Sequence, residues 1–456
     1  MRRATLAWVI GLVVVVVTAC STQVHGSGTS GLPPLASDAS LSVVDDAHTD
    51  FDRLAKNALT DVITYWQKAY PSISGGKALP ALQGKIYSVD DIDLSAAASN
   101  EACIDGDPRN IQDNAFYCRL DDSIAYDRVG FLPQLAKTYG PYFVALVFAH
   151  EFGHAVQQRL GISASESSIV RETQADCAAG AFTASVLNFS AAHFRIGSAE
   201  LDKVLVGYIQ LRDPTSHSAD DKGTHGDGFD RLSALADGIN HGATYCYSAD
   251  WSKRSFTERP FTSDSDYASG GNEPLAQVLD PSPPPTGGGL QPDLNVYWKQ
   301  AADTINKDWS DVKIAEATHP PCATNSASEF GYCPDTNTVY YSDDIAKKAY
   351  QYGDYALGTL FVYGWGLAVQ HQLFGRDLST SSALLGSSCL AGAYSENVNV
   401  AGGGRSFALS PPDMDEATVA VLTMVGNDLV FGERGTTGLE RIGSFTKGYF
   451  GGLGAC

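Results

Sequence analysis

The chain has 456 residues, 44% of them hydrophobic and 18% charged, which is enough apolar material for two globular domains and excludes a largely disordered protein. Lysine and arginine total 31 against 52 aspartate and glutamate residues, giving a formal net charge of −21. This charge excludes the basic surface that nucleic-acid binding needs, so we expect no nucleic-acid partner. It also disfavours adsorption to an anionic membrane, so membrane attachment would need a covalent or inserted anchor.

The first 19 residues have the organisation of a secretory signal. Two arginines precede an apolar stretch, residues 4–17, that is shorter than the roughly 20 residues a transmembrane helix needs to span a bilayer. Small residues then precede Cys20, and this pattern resembles a bacterial lipoprotein signal, in which the mature N-terminal cysteine carries a diacylglycerol. An ordinary signal peptide with an incidental cysteine is the alternative. We therefore expect a signal peptide over 1–19, an acylated Cys20 with a flexible linker over 20–47, and an extracytoplasmic protein lipid-anchored to the cell membrane.

The next segment predicts one helix and a small sheet. The helix lies near residues 51–69, and short strands are expected around Tyr87 and Tyr117. An extended peptide could pair through its main chain with a strand edge, either from residues 85–89 or from residues 117–126.

Residues 141–160 predict a helix that carries a metal-binding motif. Proline stands at its first position and glycine follows its last. His150 and His154 are four residues apart, so they project from one helix face and can share one Zn²⁺. Glu151 lies one step around the helix, where its carboxylate reaches water at the metal without having to ligate it. The alternative is a surface helix with two solvated histidines, which the apolar neighbouring residues disfavour.

A second helix over residues 165–187 offers a third ligand. Glu172 lies 18 residues after His154, which is enough for the chain to finish the first helix, turn and run back along a second helix. It would complete a His₂Glu site with an open coordination position. Asp176, on the same face as Glu172, could accept the second ring N–H of a ligating histidine. The alternatives are a salt bridge from Glu172 to a nearby arginine, Arg171 or Arg159, and a solvent-exposed Asp176.

The remaining elements of this region are a helix over residues 199–211, a polar loop over 213–228 and a closing helix over 231–238. The loop contains His225 and His217, and His225 is the better candidate for a catalytic donor to a developing oxyanion. A solvated loop histidine is the alternative.

Five segments recur in one order after a Pro/Gly-rich run at residues 281–289. The matches pair 65–69 with 297–301, 116–118 with 331–333, 153–157 with 366–370, 177–182 with 389–394, and 228–232 with 438–442. Each match is weak alone, but the series predicts two copies of one domain. We expect the first copy at residues 48–248, a linker at 249–290, and the second copy at 291–456.

The eight cysteines after Cys20 follow the same register and, in an exported chain, are expected to form disulfides. The economical assignment keeps each bridge within one copy: Cys103–Cys118, Cys177–Cys246, Cys322–Cys333 and Cys389–Cys456.

The second copy lacks the metal-binding residues of the first. In the alignment Tyr363 replaces His150, Gly364 replaces Glu151, Leu367 replaces His154, either Leu384 or Gly386 replaces Glu172, and Ser388 replaces Asp176. None of these is an acceptable zinc ligand. We therefore expect residues 291–456 to be a degenerate repeat, a pseudopeptidase domain that covers, orients or extends the cleft of the first copy.

The motifs HEFGHAVQ, residues 150–157, and ETQADCAAGAF, residues 172–182, resemble those of the bacterial neutral zinc metallopeptidase family. With its lipoprotein signal and duplication, the chain resembles the actinobacterial lipoprotein peptidases of that group. The resemblance covers roughly residues 50–248 and is faint beyond 290. It implies zinc as cofactor, His150, His154 and Glu172 as its ligands, and Glu151 as the base.

These observations predict a mostly helical, zincin-like α+β domain with a small sheet, duplicated in tandem. The expected function is a membrane-anchored zinc metallopeptidase that acts on peptide or protein substrates. Two alternatives stay open: a non-enzymatic lipoprotein that binds a partner and holds a structural metal, and a zinc amidase that acts on cell-wall peptides.

Overall fold

The computed structural model describes residues 34–93, 101–162, 166–214, 224–282, 289–323, 325–401 and 407–456. Contacts divide the chain into residues 1–34, almost all outside these ranges, and a compact unit of residues 35–456 that contains everything discussed below. The predicted signal peptide, Cys20 and His217 lie outside the described residues. Within the described ranges, no helix is both long and apolar enough to cross a membrane.

The first half of the unit, up to Cys246, contains seven α-helices and three strands in its described residues. These are α1 (Asp50–Ala69), β1 (Ile86–Val89), β2 (Ala115–Cys118), β3 (Ser123–Asp127), α2 (Phe131–Tyr139), α3 (Pro141–Leu160), α4 (Ser168–Leu187), α5 (Ser198–Ile209), α6 (Gly228–His241) and α7 (Ala243–Cys246).

The connecting segment and the second half contain a further eight helices and three strands in their described residues. These are α8 (Asp264–Ser269), α9 (Leu275–Val278), α10 (Leu290–Thr304), β4 (Lys313–Glu316), β5 (Phe330–Cys333), β6 (Thr338–Tyr341), α11 (Asp343–Tyr350), α12 (Asp354–Phe374), α13 (Ser381–Ala401), α14 (Asp413–Thr423) and α15 (Gly438–Gly451).

The helix α3 has the bounds that the sequence predicts, because its end signals are strong. Pro141 occupies the first turn, where a missing N–H costs nothing, and Gly161 ends the helix with a φ of 73°. The next helix, α4, begins at Ser168 rather than at residue 165, after Ser167 in the N-cap position. The expected helices near 51–69, 199–211 and 231–238 are present as α1, α5 and α6 with shifted ends, whereas α2 was not predicted.

Each half contains one small sheet with the same topology. In the first, β3 lies between β1, to which it is parallel, and β2, to which it is antiparallel. In the second, β6 lies between β4 and β5 with the same directions. The protein is therefore mostly helical with two small sheets, which confirms the predicted α+β class. The tandem duplication itself stays a prediction, although the two sheets have the order it requires.

Two glycines bring α4 and α6 into backbone contact. A Cβ atom at Gly180 would lie 2.0 Å from the carbonyl oxygen of Leu235, and one at Gly238 would meet the α4 backbone just as closely. Only glycine permits this approach. Gly392 and Gly448 make the same contact between α13 and α15. The contact between α4 and α6 at Gly180 and Gly238 therefore fixes α6 against the helix that carries Glu172.

All eight cysteines after Cys20 are paired, and the pairs are those that the sequence predicts. The bridges are Cys103–Cys118, Cys177–Cys246, Cys322–Cys333 and Cys389–Cys456, with Cα separations of 5.5 to 5.9 Å. Each bridge therefore lies within one half of the unit.

The two halves meet through α5, α6, α14 and α15, and their contacts are reciprocal. Asp415 in α14 accepts a hydrogen bond from the backbone N–H of Phe229, at the start of α6, over 2.8 Å. Asp202 in α5 accepts one from the N–H of Gly438, at the start of α15, over 2.9 Å. Each half thus supplies a carboxylate to a helix N-terminus of the other, where the helix dipole favours negative charge.

The predicted linker, residues 249–290, is folded where the structure describes it. It contains α8 and α9 and binds the second half. Ser410 donates to Asp266 over 3.0 Å, and the Tyr350 hydroxyl donates to the Glu273 carbonyl over 2.7 Å. These contacts attach the segment to the body of the second half.

Candidate metal centre

The two histidines of α3 and one carboxylate of α4 converge on a single point. His150 and His154 lie one turn apart with ring centroids 4.9 Å from each other. Their Nε2 atoms lie 3.3 and 3.2 Å from Oε2 of Glu172. The possible ligand atoms of the three residues all lie within 4.8 Å of one another. The structure therefore brings together the three residues that the sequence selects.

The other ring nitrogen of each histidine is held by a second side chain. Nδ1 of His150 lies 2.6 Å from Oδ1 of Asp176, and Nδ1 of His154 lies 3.0 Å from Oε1 of Gln157. Because these oxygens accept the Nδ1 proton, Nε2 is the nitrogen of each ring that a metal ion would bind, displacing any proton there. This arrangement is typical of histidines that bind a metal ion.

The carboxylate of Asp176 is fully buried and is itself held by two side chains. Arg231 donates to it from Nε over 3.1 Å and from Nη2 over 3.0 Å, and the Tyr208 hydroxyl donates a third hydrogen bond. Burial alone would raise the pKa of Asp176, but Arg231 and His150 outweigh it and lower the pKa to about 2. Asp176 is therefore an ionised, oriented acceptor, and the alternative of an exposed carboxylate is wrong.

The pKa shifts of the three converging groups show that the site favours positive charge. Burial alone would lower the pKa of His150, but Asp176 and Glu172 raise it to about 10. Burial would raise the pKa of Glu172, but His154 and His150 hold it well below its usual range. An environment that stabilises imidazolium groups also stabilises a divalent cation. Two imidazole nitrogens and one carboxylate oxygen form a donor set that suits zinc.

The carboxylate of Glu151 is oriented by the neighbouring sheet. It is half-buried, and its Oε2 accepts a hydrogen bond from the backbone N–H of Tyr117 in β2 over 2.9 Å. Glu151 is thus outside the converging trio but adjacent to it in α3. Of the two arginines considered as partners of Glu172, Arg159 pairs instead with Asp122 over 3.1 Å, and the Glu172 carboxylate faces the histidines.

The structure does not bring His225 into the trio. Its side chain is half exposed, its Nδ1 lies 3.1 Å from Asp213, and its backbone N–H donates to the same carboxylate. The neighbouring Gly226 lies close to Arg231 and Ile169, so this segment borders the site. A role for His225 in catalysis stays a prediction.

The corresponding place in the second half can be identified from a shared hydrogen bond. Gln157 donates from Nε2 to the carbonyl of Arg171 over 2.6 Å, and Gln370 donates from Nε2 to the carbonyl of Ala383 over 2.8 Å. This register puts Leu384, rather than Gly386, in the place of Glu172. The second half therefore presents a leucine where the first presents a carboxylate.

Three residues that hold the site were not selected from the sequence. They are Arg231, Tyr208 and Gln157. Arg231 and Gln157 stand within segments that recur in the second half, as Arg441 and Gln370, but recurrence alone does not reveal a partner. The contact of Tyr208 depends on how α5 packs, for which the sequence carries no signal.

Comparisons with known proteins agree with this geometry. The sequence profile of the family described as Putative neutral zinc metallopeptidase matches residues 4–247, more than half of the chain. Uncharacterized proteins of Mycobacterium bovis and of two Mycobacterium tuberculosis strains are each 34% identical over 85 residues.

The match to these mycobacterial proteins is partial, since it covers 16% of this chain and 29% of each relative. No solved structure matches the chain. The profile match covers both motifs, residues 150–157 and 172–182, and all three converging residues, and the chain therefore belongs to the family that this profile defines.

Proposed function

We propose that the protein is a zinc-dependent peptidase that acts outside the cytoplasm and is anchored to the cell membrane through a lipid on Cys20. One observation carries the enzymatic part of this proposal. The Nε2 atoms of His150 and His154 both lie within 3.3 Å of one oxygen of Glu172. Glu151 stands beside them with its carboxylate already oriented by β2.

His150, His154 and Glu172 would hold the zinc ion. A zinc ion bound there supplies Lewis acidity, which makes water more acidic and polarises a carbonyl group. Among the described residues, no fourth histidine, cysteine or carboxylate joins the trio. This favours a catalytic over a structural metal, since structural zinc sites have four protein ligands.

Glu151 would act as the general base. Its carboxylate accepts a proton from the attacking water and later donates that proton to the nitrogen of the leaving amine. The N–H of Tyr117 fixes the carboxylate before the substrate arrives. Asp176 keeps the His150 ring in place, and the ion pair with Arg231 keeps Asp176 in place.

A peptide or protein substrate would bind along β2. The outer edge of β1 is occupied, because Val44 accepts from the N–H of Ser88 over 3.0 Å and donates to Ile86 over 2.8 Å. The outer side of β2 faces α3 and Glu151. A peptide that pairs with β2 through its main chain would therefore pass the base and the metal.

The second half would act as a pseudopeptidase domain that orients the first. Asp415 of α14 binds the N–H of Phe229 and, over 2.7 Å, Nη1 of Arg212. Arg212 directly follows Leu211, whose carbonyl accepts from Arg231, and Phe229 lies two residues before Arg231 in α6. Arg231 also donates to Asp176. The second half thus supports the side chain that holds Asp176.

The location rests on the sequence and on the disulfides. The signal-like segment and Cys20 predict export and acylation, and four disulfides are typical of chains that fold outside the cytoplasm. Expression in a host with lipoprotein-processing enzymes tests this: the wild type should incorporate labelled palmitate and sediment with membranes. Cys20→Ser should do neither, and equal membrane association of both proteins would contradict the anchor.

Zinc content and hydrolysis together test the enzymatic proposal. The wild type should bind one zinc ion and cleave a mixed protein or peptide library, and Glu151→Gln should retain zinc while activity falls about 10²- to 10⁴-fold. The matched control is Glu166→Gln, an exposed glutamate just before α4, which should leave both unchanged. Zinc binding without hydrolysis of any protein or peptide would instead support a structural metal, and hydrolysis of cell-wall peptide amides alone would support the amidase.

A further inference from the structure

A second group of carboxylates lies in the other half of the unit, where α12 and α14 begin. It consists of Asp354, Asp413 and Glu416, which are 1%, 1% and 6% exposed. One oxygen of each lies within 4.8 Å of the other two. None of these residues belongs to the zinc site, and three acidic side chains buried together need a compensating charge.

Each of the three carboxylates uses one oxygen to bind the main chain. Oδ2 of Asp354 accepts from the N–H of Glu273 over 2.9 Å, and Oδ2 of Asp413 accepts from that of Ser410 over 2.7 Å. Glu416 accepts in the same way from Tyr355, over 2.9 Å. These bonds fix the carboxylates in position.

Two of the remaining oxygens are buried without a hydrogen-bond donor. Within the described part of the chain, Oδ1 of Asp354 and Oδ1 of Asp413 have no partner. A buried carboxylate oxygen left unpaired is costly, and such atoms in a native structure indicate an ion or water that completes them. This observation is independent of the clustering itself.

The protein offers only weak compensation of its own. The helix dipoles of α12 and α14 supply about half a positive charge each. Arg259 is the cation that acts on Asp413, but its guanidinium donates to the carbonyl of Leu409. Burial and repulsion among neighbouring carboxylates raise the pKa of all three carboxyl groups, so without an ion they would have to take up protons, and the carboxyl groups of Asp354 and Glu416 would then share a hydrogen bond.

The backbone is shaped to admit the third carboxylate. Gly353 has a φ of +132°, and a Cβ atom there would lie 1.8 Å from the carboxyl carbon of Glu416. The connecting segment closes the group from the other side, because Oδ1 of Asn272 accepts from the N–H of Asp354 over 2.7 Å. The cluster thus joins three separate stretches of chain: the connecting segment, α12 and α14.

We propose that Asp354, Asp413 and Glu416 bind a divalent hard cation, Ca²⁺, which fastens the connecting segment and α12 to α14. A set of oxygen donors alone favours Ca²⁺ or Mg²⁺ over zinc. Oxygens up to 4.8 Å apart can share one Ca²⁺ at about 2.3–2.6 Å each, whereas Mg²⁺ needs about 2.0–2.1 Å and retains several waters. A buried site with three fixed carboxylates suits the larger ion.

Calcium binding to the zinc-loaded full chain tests this proposal. Equilibrium dialysis with ⁴⁵Ca²⁺ should show one saturable site with a Kd of roughly 10⁻⁴–10⁻³ M, the range of extracellular calcium modules. Saturating Ca²⁺ should raise the Tm by about 2–6 °C at constant free zinc. Absence of saturable binding to the wild type up to about ten times that Kd range, or equal saturation by Mg²⁺, would overturn the assignment.

Variants then locate the site. Asp354→Asn and Asp413→Asn each remove one charge but keep an acceptor oxygen, and each should lose the calcium-dependent shift in Tm while retaining zinc. The matched control is Asp344→Asn, an exposed aspartate of α11, which should keep the full shift. Glu172→Gln should also keep it, so failure of the zinc site cannot be mistaken for failure of this one. An undiminished shift in both cluster variants would place the ion elsewhere and overturn the proposal.

Discussion

The two halves of the unit contain sheets of the same topology, but their helices bury different side chains. In the first half His150 pairs with Asp176, and Arg231 holds Asp176 from the far side. In the second half Tyr363 stands in place of His150, and Arg441 donates to the carbonyls of Val421 and Leu422 instead of to a carboxylate. The helices of the second half therefore pack without this polar network, and its presence in the first half calls for a functional reason.

In the second half, the outer edge of β5 is covered, whereas β2 of the first half is the strand along which we propose that a substrate binds. Leu429 accepts from the N–H of Phe330 over 3.0 Å, and the N–H of Phe431 donates to the Phe330 carbonyl over 3.1 Å, so the outer edge of β5 is covered. The ring of Phe431 lies nearly parallel to that of Tyr363, with centroids 6.2 Å apart. In the predicted alignment, an aromatic contact thus lies where the first half has His150.

Substitution of Glu172 in the proposed zinc site should have the strongest effect, and substitution of Leu384, at the place predicted to correspond in the second half, should have a different one. Glu172→Gln should lower zinc content below about one-tenth of wild type and hydrolysis by about 10³-fold or more, because it removes a charged ligand. Leu384→Ala, at the corresponding place, should instead destabilise the protein by about 2–5 kcal/mol while leaving the zinc content intact. Zinc analysis and denaturant unfolding measure the two effects. Zinc loss from the Leu384 variant would contradict the comparison.

The next effect concerns the carboxylate behind His150. Asp176→Asn should weaken zinc binding about 10- to 100-fold, because the ring of His150 loses a charged acceptor and Arg231 loses its partner. The control is Ser388→Ala, because the Ser388 hydroxyl donates to the carbonyl of Leu384 in its own helix over 3.1 Å. This variant should leave zinc affinity unchanged. Competition with a zinc chelator measures both. Equal affinity in the Asp176 variant and wild type would show that the network is only structural.

A smaller effect tests whether the second half supports the first. Asp415→Ala and Asp202→Ala each remove a carboxylate from a helix N-terminus of the other half, and each should cost about 1 kcal/mol of unfolding free energy. Only Asp415→Ala should also weaken zinc binding, by roughly two- to tenfold, because α6 carries Arg231. If both variants bound zinc as tightly as the wild type, the second half would only stabilise the fold.

The smallest effect is a pH dependence in the second half. The carboxyl groups of Asp354, Asp413 and Glu416 lie close to one another. Glu273 acts on Asp354, and Arg259 acts on Asp413. Burial raises the pKa of the three clustered carboxyl groups above the values of the unfolded chain. A raised carboxyl pKa means that the unfolded chain loses protons first, so the calcium-free protein should lose stability as pH rises above about 4–5. Calcium should therefore raise the Tm more at pH 8 than at pH 5. Thermal unfolding at both pH values measures this, and a larger calcium effect at pH 5 would contradict it.

The sequence predicts most of the helices and the convergence of His150, His154 and Glu172 because the signals for both are local. Pro141 and Gly161 mark the ends of α3, and the four-residue spacing of His150 and His154 places both on one face of it. The disulfides follow from spacing and register. Local periodicity and end signals are enough for these features.

The parts that the sequence does not reveal depend on contacts between distant segments. Tyr208 reaches Asp176 because α5 packs against α6, which itself packs against α4, and Asp415 reaches Phe229 across 186 residues. The carboxylate cluster gathers residues from two helices and a segment that the sequence presents as a linker. No short-range sequence pattern predicts these contacts, because tertiary packing creates them.

The most direct test of the central claim is a crystal structure of the zinc-loaded protein with anomalous diffraction measured on both sides of the zinc absorption edge. We expect one strong zinc peak about 2.0–2.2 Å from Nε2 of His150, Nε2 of His154 and a carboxylate oxygen of Glu172, with no fourth protein ligand. A peak elsewhere, or one at this place closed by a fourth protein side chain, would contradict it.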